Sequence, residues 1–402
     1  MDPISITTLP DEILLAICTK LCRHCCNIPR AQPKRYWEEN FESALSSLSK
    51  TCQRLRDIAQ PILHHDAGPK DMLLFLRTII ARPDLAAQVR RFCNEGANVS
   101  GLEHQVSGLV DADMDDDDPS LMRMMLDEKI DSHYRLLEMA LVLLPNPEAL
   151  IIMCGVDLGQ MGDFLATMPC LERLELEECG TVTQQLPLTR LRSLKLKRSA
   201  IGERSLQKLI DSCPKLEYFK YDFNGRIGRR NEVDFEPFMW GQAQRILHSR
   251  RKTLKHLRLH FGRTFHYRER PLEEEEYLSS FRDFDILESL SVLTASFGSK
   301  DDDATIPIFP ENVQHLVSIL PKSLTCIIFR GWHEEWNGMR VLAQAIQEGQ
   351  FPRLKKVVME LSDQFMDESY EEILTPLGVC FETIPQTNIG IGWRKYITIP
   401  YV

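Results

Sequence analysis

Apolar residues recur along most of this chain in one short pattern: an apolar position, two others, an apolar, one other, an apolar. Seven copies are clear: Leu171, Leu174, Leu176; Leu191, Leu194, Leu196; Leu216, Phe219, Tyr221; Leu254, Leu257, Leu259; Leu287, Leu290, Val292; Leu324, Ile327, Phe329; and Leu354, Val357, Met359. An eighth, weaker copy begins at Leu150. The period-two alternation predicts a short strand in each copy, buried on one face. Between copies, apolar residues spaced by three and four predict helices through Leu136, Leu137, Ala140 and Leu144; Phe164, Leu165 and Met168; Leu206, Leu209 and Ile210; and Val341, Leu342, Ala345 and Ile346. Pro145, Pro169, Pro214, Pro321 and Pro352 stand where helices give way to strands. Proline lacks the N–H that a continuing helix needs and pushes the preceding residue out of helical geometry.

Repetition of helix, proline and strand is the signature of a leucine-rich repeat solenoid. One repeat cannot bury its own apolar face, but strands stacked roughly 4.8 Å apart share a core. From Leu150, first residues of successive copies lie 21, 20, 25, 38, 33, 37 and 30 residues apart. Only the earlier spacings fall in the usual range of about 20 to 29, so the later units are expected to carry inserted loops.

The first 66 residues read differently. Pro10, Asp11 and Glu12 mark a helix start, because proline tolerates the first turn and carboxylates suit its positive dipole end. Ile13, Leu14, Ile17 and Leu21 then form one apolar stripe. A second stripe, Phe41, Leu45 and Leu48, leads into Cys52, Leu55, Ile58 and Ala59, with Pro61 expected to close it. Three short amphipathic helices make only a marginal domain, which gains stability by docking elsewhere.

This stretch resembles an F-box, the adaptor-binding module of Skp, cullin and F-box ubiquitin ligases. Leu9, Pro10, Ile13, Leu14, Ile17 and Leu21 match its first half, and Leu45, Leu48, Cys52, Arg54, Arg56 and Ala59 its second. Leu55 stands where many members carry tryptophan, and Cys22 to Asn40 form an insertion after the first helix. Asp71 to Arg77 and Ala81 to Leu85 are similar to the segment that begins the repeat array in fungal F-box proteins. The resemblance implies an α/β fold: a three-helix F-box over 1–66, then an irregular leucine-rich repeat horseshoe over 67–402. It also implies a Skp-type adaptor, and through it a cullin, bound by Leu9, Pro10, Ile13, Leu14, Ile17, Leu45, Leu48, Cys52 and Leu55. The alternative for residues 4–64 is a cap over the solenoid's open end.

Charge refines this picture. Of 402 residues 43% are apolar, too long a chain for one ordinary compact domain, and the net charge is -10. Thirteen acidic residues sit in three tracts, Asp111 to Asp118, Glu273 to Glu276 and Asp301 to Asp303, so the rest of the chain carries +3. These tracts fall in expected insertions near 97–131, 262–280 and 296–312 and read as solvated loops, because adjacent aspartates lack the alternating spacing of a cation loop. Acidic Asp2, Asp11 and Glu12 stand where a secretory leader would be basic, and no apolar run approaches the roughly 18 residues of a membrane helix. An intracellular protein, cytoplasmic or nuclear, with reduced cysteines is expected, with no membrane or nucleic-acid partner. The Asn98-Val99-Ser100 sequon is then incidental.

If the apolar positions point inward, the residues between and just beyond them line the other strand face. Its middle is basic: Lys195, Lys197, Lys220 and Arg258, beside Tyr218, His256 and His260. Such a row suits an acidic or phosphorylated segment of a protein substrate; the plainer alternative is a solvated face. The same reading puts Ile328, Arg330, Val358 and Glu360 on that face.

Cys18, Cys22, Cys25 and Cys26 crowd around His24 with CxxC spacing at Cys22 and Cys25. No second ligand pair lies nearby in sequence, so no metal or cofactor is expected. His333-Glu334-Glu335-Trp336-Asn337 lacks the second histidine of a metalloprotease helix, and Gly390-Ile391-Gly392 is too little for a dinucleotide fingerprint. Trp393, Tyr396, Ile397, Ile399 and Tyr401 alternate as a terminal strand would. No catalytic residue is expected. The leading reading is a non-catalytic substrate receptor of a ubiquitin ligase; the alternatives are a repeat scaffold without a ligase role and a cysteine-dependent metal or redox protein.

Overall fold

Pro10 starts the first helix as its position demands. In a computed structural model of the chain its carbonyl accepts the N–H groups of Ile13 and Leu14, both at 3.1 Å, and α1 spans Asp11–Lys20. The structure describes residues 6–26, 38–69, 71–94, 135–153, 158–199, 201–223, 239–261, 278–293, 317–330, 338–361 and 369–385. Outside them lie the three acidic tracts, residues 27–37 of the expected insertion, the Asn98 sequon, His333 to Asn337, Gly390 to Gly392 and the tail from Trp393.

Among the described residues the chain is α/β, with a parallel sheet of eleven strands in chain order. The chain divides into two compact units, Met1–Cys154 with Asp163–Leu174, and Gly155–Gly162 with the residues from Glu175 onward.

In the first unit α1 is followed by α2 (Glu38–Ser49) and α3 (Gln53–Leu63). Both α1 and α2 pack on α3, around buried Cys18, Cys22, Leu45, Ala59 and Ile62. Arg54 ties the start of α3 to the entry of α1, donating to the carbonyls of Thr7 (2.6 Å) and Leu9 (2.7 Å) and to the Asp11 carboxylate (2.8 Å). Pro61 does not close α3, which runs on to Leu63; so near the end its missing N–H forfeits one ladder bond and leaves the last turn in place.

Then come β1 (Asp66–Ala67), α4 (Met72–Ala81), α5 (Pro83–Ala86), β2 (Arg91–Asn94), α6 (residues 135–143) and β3 (Ala149–Ile152). One rule links these strands. The carbonyl just before a strand accepts two N–H groups from the next: His65 from Arg90 and Arg91, then Arg90 from Glu148 and Ala149. Asp66 and Arg91 are register partners and form a buried bidentate ion pair, Nε to Oδ1 at 2.9 Å. Helix α7 (Leu158–Ala166) and strand β4 (Arg173–Glu177) both cross the division between units.

The second unit continues with β5 (Ser193–Lys197), α8 (Glu203–Asp211), β6 (Tyr218–Phe223), α9 (Trp240–Leu247), β7 (His256–Phe261), β8 (Ser289–Leu293), β9 (Cys326–Arg330), α10 (Gly338–Gln347), β10 (Lys356–Leu361), α11 (Ser369–Leu374) and β11 (Cys380–Pro385). The double-acceptor rule holds here too, at Arg192, Glu217, Lys255, Glu288 and Thr325. Parallel register stacks the apolar positions of the repeats into rows: Leu194, Phe219, Leu257, Leu290, Ile327 and Val357 form one, all fully buried. Each such side chain contributes roughly 1.5–3 kcal/mol on burial. Helix α8 covers this core with Leu206, Leu209 and Ile210, the side its spacing predicts.

Residues 178–190 replace a helix with an irregular segment, whose N–H groups need other partners. Buried serines supply them: Ser199 Oγ accepts from Cys179 (3.1 Å), Ser205 Oγ from Val182 (3.1 Å) and Ser212 Oγ from Leu186 (2.8 Å). Chain direction changes just after β4 and β5, where Glu178 (φ 59°) and Arg198 (φ 47°) take the left-handed conformation. Their N–H groups bond to the carbonyls of Lys197 (2.9 Å) and Asp222 (2.6 Å), which offsets the steric cost.

At β9 and β10 the alternation ends. Ile328, Arg330, Val358 and Glu360 are all buried, so they do not line an open strand face as period two alone predicts. Among the described residues no helix is long and apolar enough to cross a membrane.

Candidate functional site

Two surfaces and one side-chain cluster gather most of the residues singled out by sequence. On α1 the apolar stripe divides. Leu14 and Cys18 are buried within the first unit, while Ile13, Leu15 and Ile17 remain 48%, 49% and 36% exposed. Pro10 is exposed and Leu9 half-buried. Leu45 and Leu55 are buried and serve the unit's own core; Leu48 and Cys52 are half-buried. Leu15, absent from the expected set, was legible as the next apolar side chain after Leu14.

The second surface lies on β4 to β7 within the second unit. Lys195, Lys197, Lys220 and Arg258 do come together: Lys195 pairs in register with Lys220, which pairs with Arg258. Carboxylates of the same face meet them. Glu175 binds Lys195 (Nζ to Oε2 3.4 Å) and Lys197, Asp222 lies 3.5 Å from Lys220, and Glu177 pairs with Arg198. The row is therefore a mixed ionic network and not the bare basic strip expected. Asp222 also receives His260, Nδ1 to Oδ1 at 2.8 Å, which removes buried His260 from the open face. Lys195 stands 5.7 Å from the centre of the Tyr218 ring, and Tyr218 lies against His256 with ring centres 6.0 Å apart. Among the described residues no carboxylate reaches ion-pair distance of Arg258.

Burial opposes charge on Glu175, but Lys195 and Lys197 outweigh it and hold its carboxyl down at about 2. Burial likewise resists ionisation of Asp222, yet His260 and Lys220 keep it well below the usual carboxylate range. Lys220 is pushed down to about 8 by burial, against the pull of Asp222. A carboxyl lowered on folding stabilises the fold above its unfolded pKa and ceases to do so as acid protonates it. For Glu175 that window runs from 4.5 down to about 2. Urea unfolding across this range should show wild type losing roughly 2–3 kcal/mol that Glu175→Gln does not lose. Parallel acid profiles for the two proteins would refute the pairing.

The cluster lies in the first unit. Cys22 and Cys25 follow the end of α1, and His65 precedes β1. One donor atom each from Cys22, His24, Cys25 and His65 lies within 4.8 Å of all the others. Burial, with nearby His24 and Arg90, lowers His65 to about 4. His65 is the residue sequence reasoning missed: it stands 40 positions from Cys25 in a stretch with no metal-ligand spacing of its own. Cys18 and Cys26 are not members of the cluster.

Comparison with protein-family models and with curated proteins finds no match to this chain.

Proposed function

We propose that this protein is the substrate-recognition subunit of a Skp, cullin and F-box ubiquitin ligase, with an F-box in the first helices and a leucine-rich repeat array after it. The exposure of Ile13, Leu15 and Ile17 on α1 carries the reading. A short helix that keeps three large apolar side chains in water, beside Leu14 committed to its own core, has an apolar face to offer a partner. Pro10 and half-buried Leu9 extend that face at the helix entry, and Arg54 fixes the entry's backbone. The adaptor contact is accordingly assigned to Leu9, Pro10, Ile13, Leu15 and Ile17, with Leu14, Leu45 and Leu55 shaping it from beneath.

The repeat face supports the substrate half of this reading. Tyr218, His256, Lys195 and Arg258 give a ring-lined, mildly cationic surface suited to an acidic peptide segment. Catalysis would come from proximity, with the substrate held near a cullin-bound transfer enzyme inside the cell.

The test is co-purification with a Skp-type adaptor. Wild type should bind it, and Ile13→Asp combined with Ile17→Asp should weaken binding at least about a hundredfold, because charges enter an apolar contact. Thermal unfolding should stay close to wild type, since both side chains face water. Undiminished binding in the double variant, or none in wild type, would defeat the reading; the latter leaves a repeat scaffold without a ligase role.

A further inference from the structure

The turn that ends α1 and the residue that begins the strand ladder converge on one point. We propose that Cys22, His24, Cys25 and His65 form a structural zinc site that fastens the end of α1 to the start of β1. Their donor atoms already lie within 4.8 Å of one another. Tetrahedral zinc, bound at about 2.3 Å by sulfur and about 2.0–2.1 Å by nitrogen, sets its ligand atoms roughly 3.3–3.8 Å apart. Two separations are close to that: Cys25 Sγ lies 3.4 Å from His65 Nδ1 and 3.9 Å from His24 Nδ1. The others need contract by at most about 1.5 Å.

The supports behind the ligands match a metal site. His24 presents Nδ1 to the thiols and Nε2 to Glu148, 3.4 Å away. A carboxylate there holds the proton on Nε2, leaves the Nδ1 lone pair facing the cluster, and makes the imidazole a better donor. His65 is fixed by its backbone, because its carbonyl accepts the N–H groups of Arg90 (3.1 Å) and Arg91 (2.8 Å). Cys22 is buried in the core between α1, α2 and α3. Three of the four ligands are thus positioned by contacts that exist without an ion.

Ligand chemistry selects the metal. Two thiolates and two imidazoles suit zinc, and not magnesium or calcium, which take oxygen. Four protein ligands leave no open position, so the role is structural. Binding expels the two thiol protons to solvent and leaves a neutral centre, which limits the cost of burying it. The proposal is independent of what the exposed side of α1 binds.

The full chain, purified reduced and without a metal-affinity tag, would be assayed for zinc by elemental mass spectrometry. Cobalt(II) would then be titrated into zinc-free protein. Expected are about one zinc per chain and the tetrahedral visible bands of cobalt with a thiolate charge-transfer band. Cys25→Ala and His65→Ala should each lower zinc affinity at least about tenfold, while Cys26→Ala retains it. The cobalt spectrum needs no variant, so a misfolded substitution does not blunt the test. Less than about 0.1 zinc per chain after reloading, octahedral cobalt, a Cys22 to Cys25 disulfide under reducing conditions, or zinc retained in both variants would overturn the site.

Discussion

Arg330→Met alone should destabilise the second unit by about 3–5 kcal/mol, the usual cost of stranding one member of a buried ion pair. Arg330 and Glu360 face each other in register on β9 and β10, with Nη2 to Oε1 at 2.8 Å and side chains 4% and 2% exposed. Without the guanidinium, Glu360 must stay charged in a dry setting or take up a proton, and both outcomes disfavour the folded state. Arg330 also acts electrostatically on Lys220 and Asp222, so its loss reaches the ionic network on β6. Pairing Arg330→Met with Glu360→Met should recover most of the lost stability, since two apolar side chains of similar volume need no partner charge. Urea unfolding of the single and double variants measures this. Equal destabilisation of both would mean that the pair contributes packing and not charge compensation.

Phe219→Ala should cost a similar amount, about 3–5 kcal/mol, by a different route. Phe219 is fully buried on β6, between Leu194 of β5 and Leu257 of β7. Removing its ring opens a cavity inside a stacked row, where both neighbours are held by parallel backbone bonds and cannot collapse inward. Phe219→Leu, which keeps much of the volume, should lose no more than about half as much. Unfolding monitored by circular dichroism would decide it; a loss under about 1 kcal/mol for the alanine variant would show that the row relaxes freely.

Eight of the strands were legible because their buried positions follow the repeat pattern, from Leu150 in β3 to Met359 in β10. Three were not. β1 has only two residues, too few to show a period. β2 carries buried Arg91 and Asn94 at its ends, polar side chains that conceal a strand buried along its whole length. β11 exposes Cys380 and Glu382 and is recruited by its backbone, beginning with the Cys380 N–H on the Lys355 carbonyl. Helix α9 was equally hidden within the long gap between repeats, although Trp240, Ala243, Ile246 and Leu247 give it a well-buried side.

The candidate sites follow the same division. Apolar exposure on α1 could be anticipated only in part, since Ile13, Leu14, Leu15 and Ile17 look alike in a stripe and only packing on α3 separates buried Leu14 from the rest. The basic row was visible, but its neutralisation by Glu175 and Asp222 required knowing which residues stand side by side. Four donors converge from Cys22 and His65 for a comparable reason: the helices between them turn the chain back on itself.

Hydrophobic spacing along the chain dictates which side chains leave water and hence where strands form, because burial favours each apolar residue largely irrespective of its neighbours' identity. Charge pairing and ligand convergence came from the folded chain alone. Those interactions fall off within a few ångströms, and the groups that meet, such as Glu175 with Lys197, Arg330 with Glu360 and Cys25 with His65, are 20 or more positions apart until parallel register and helix packing bring them together.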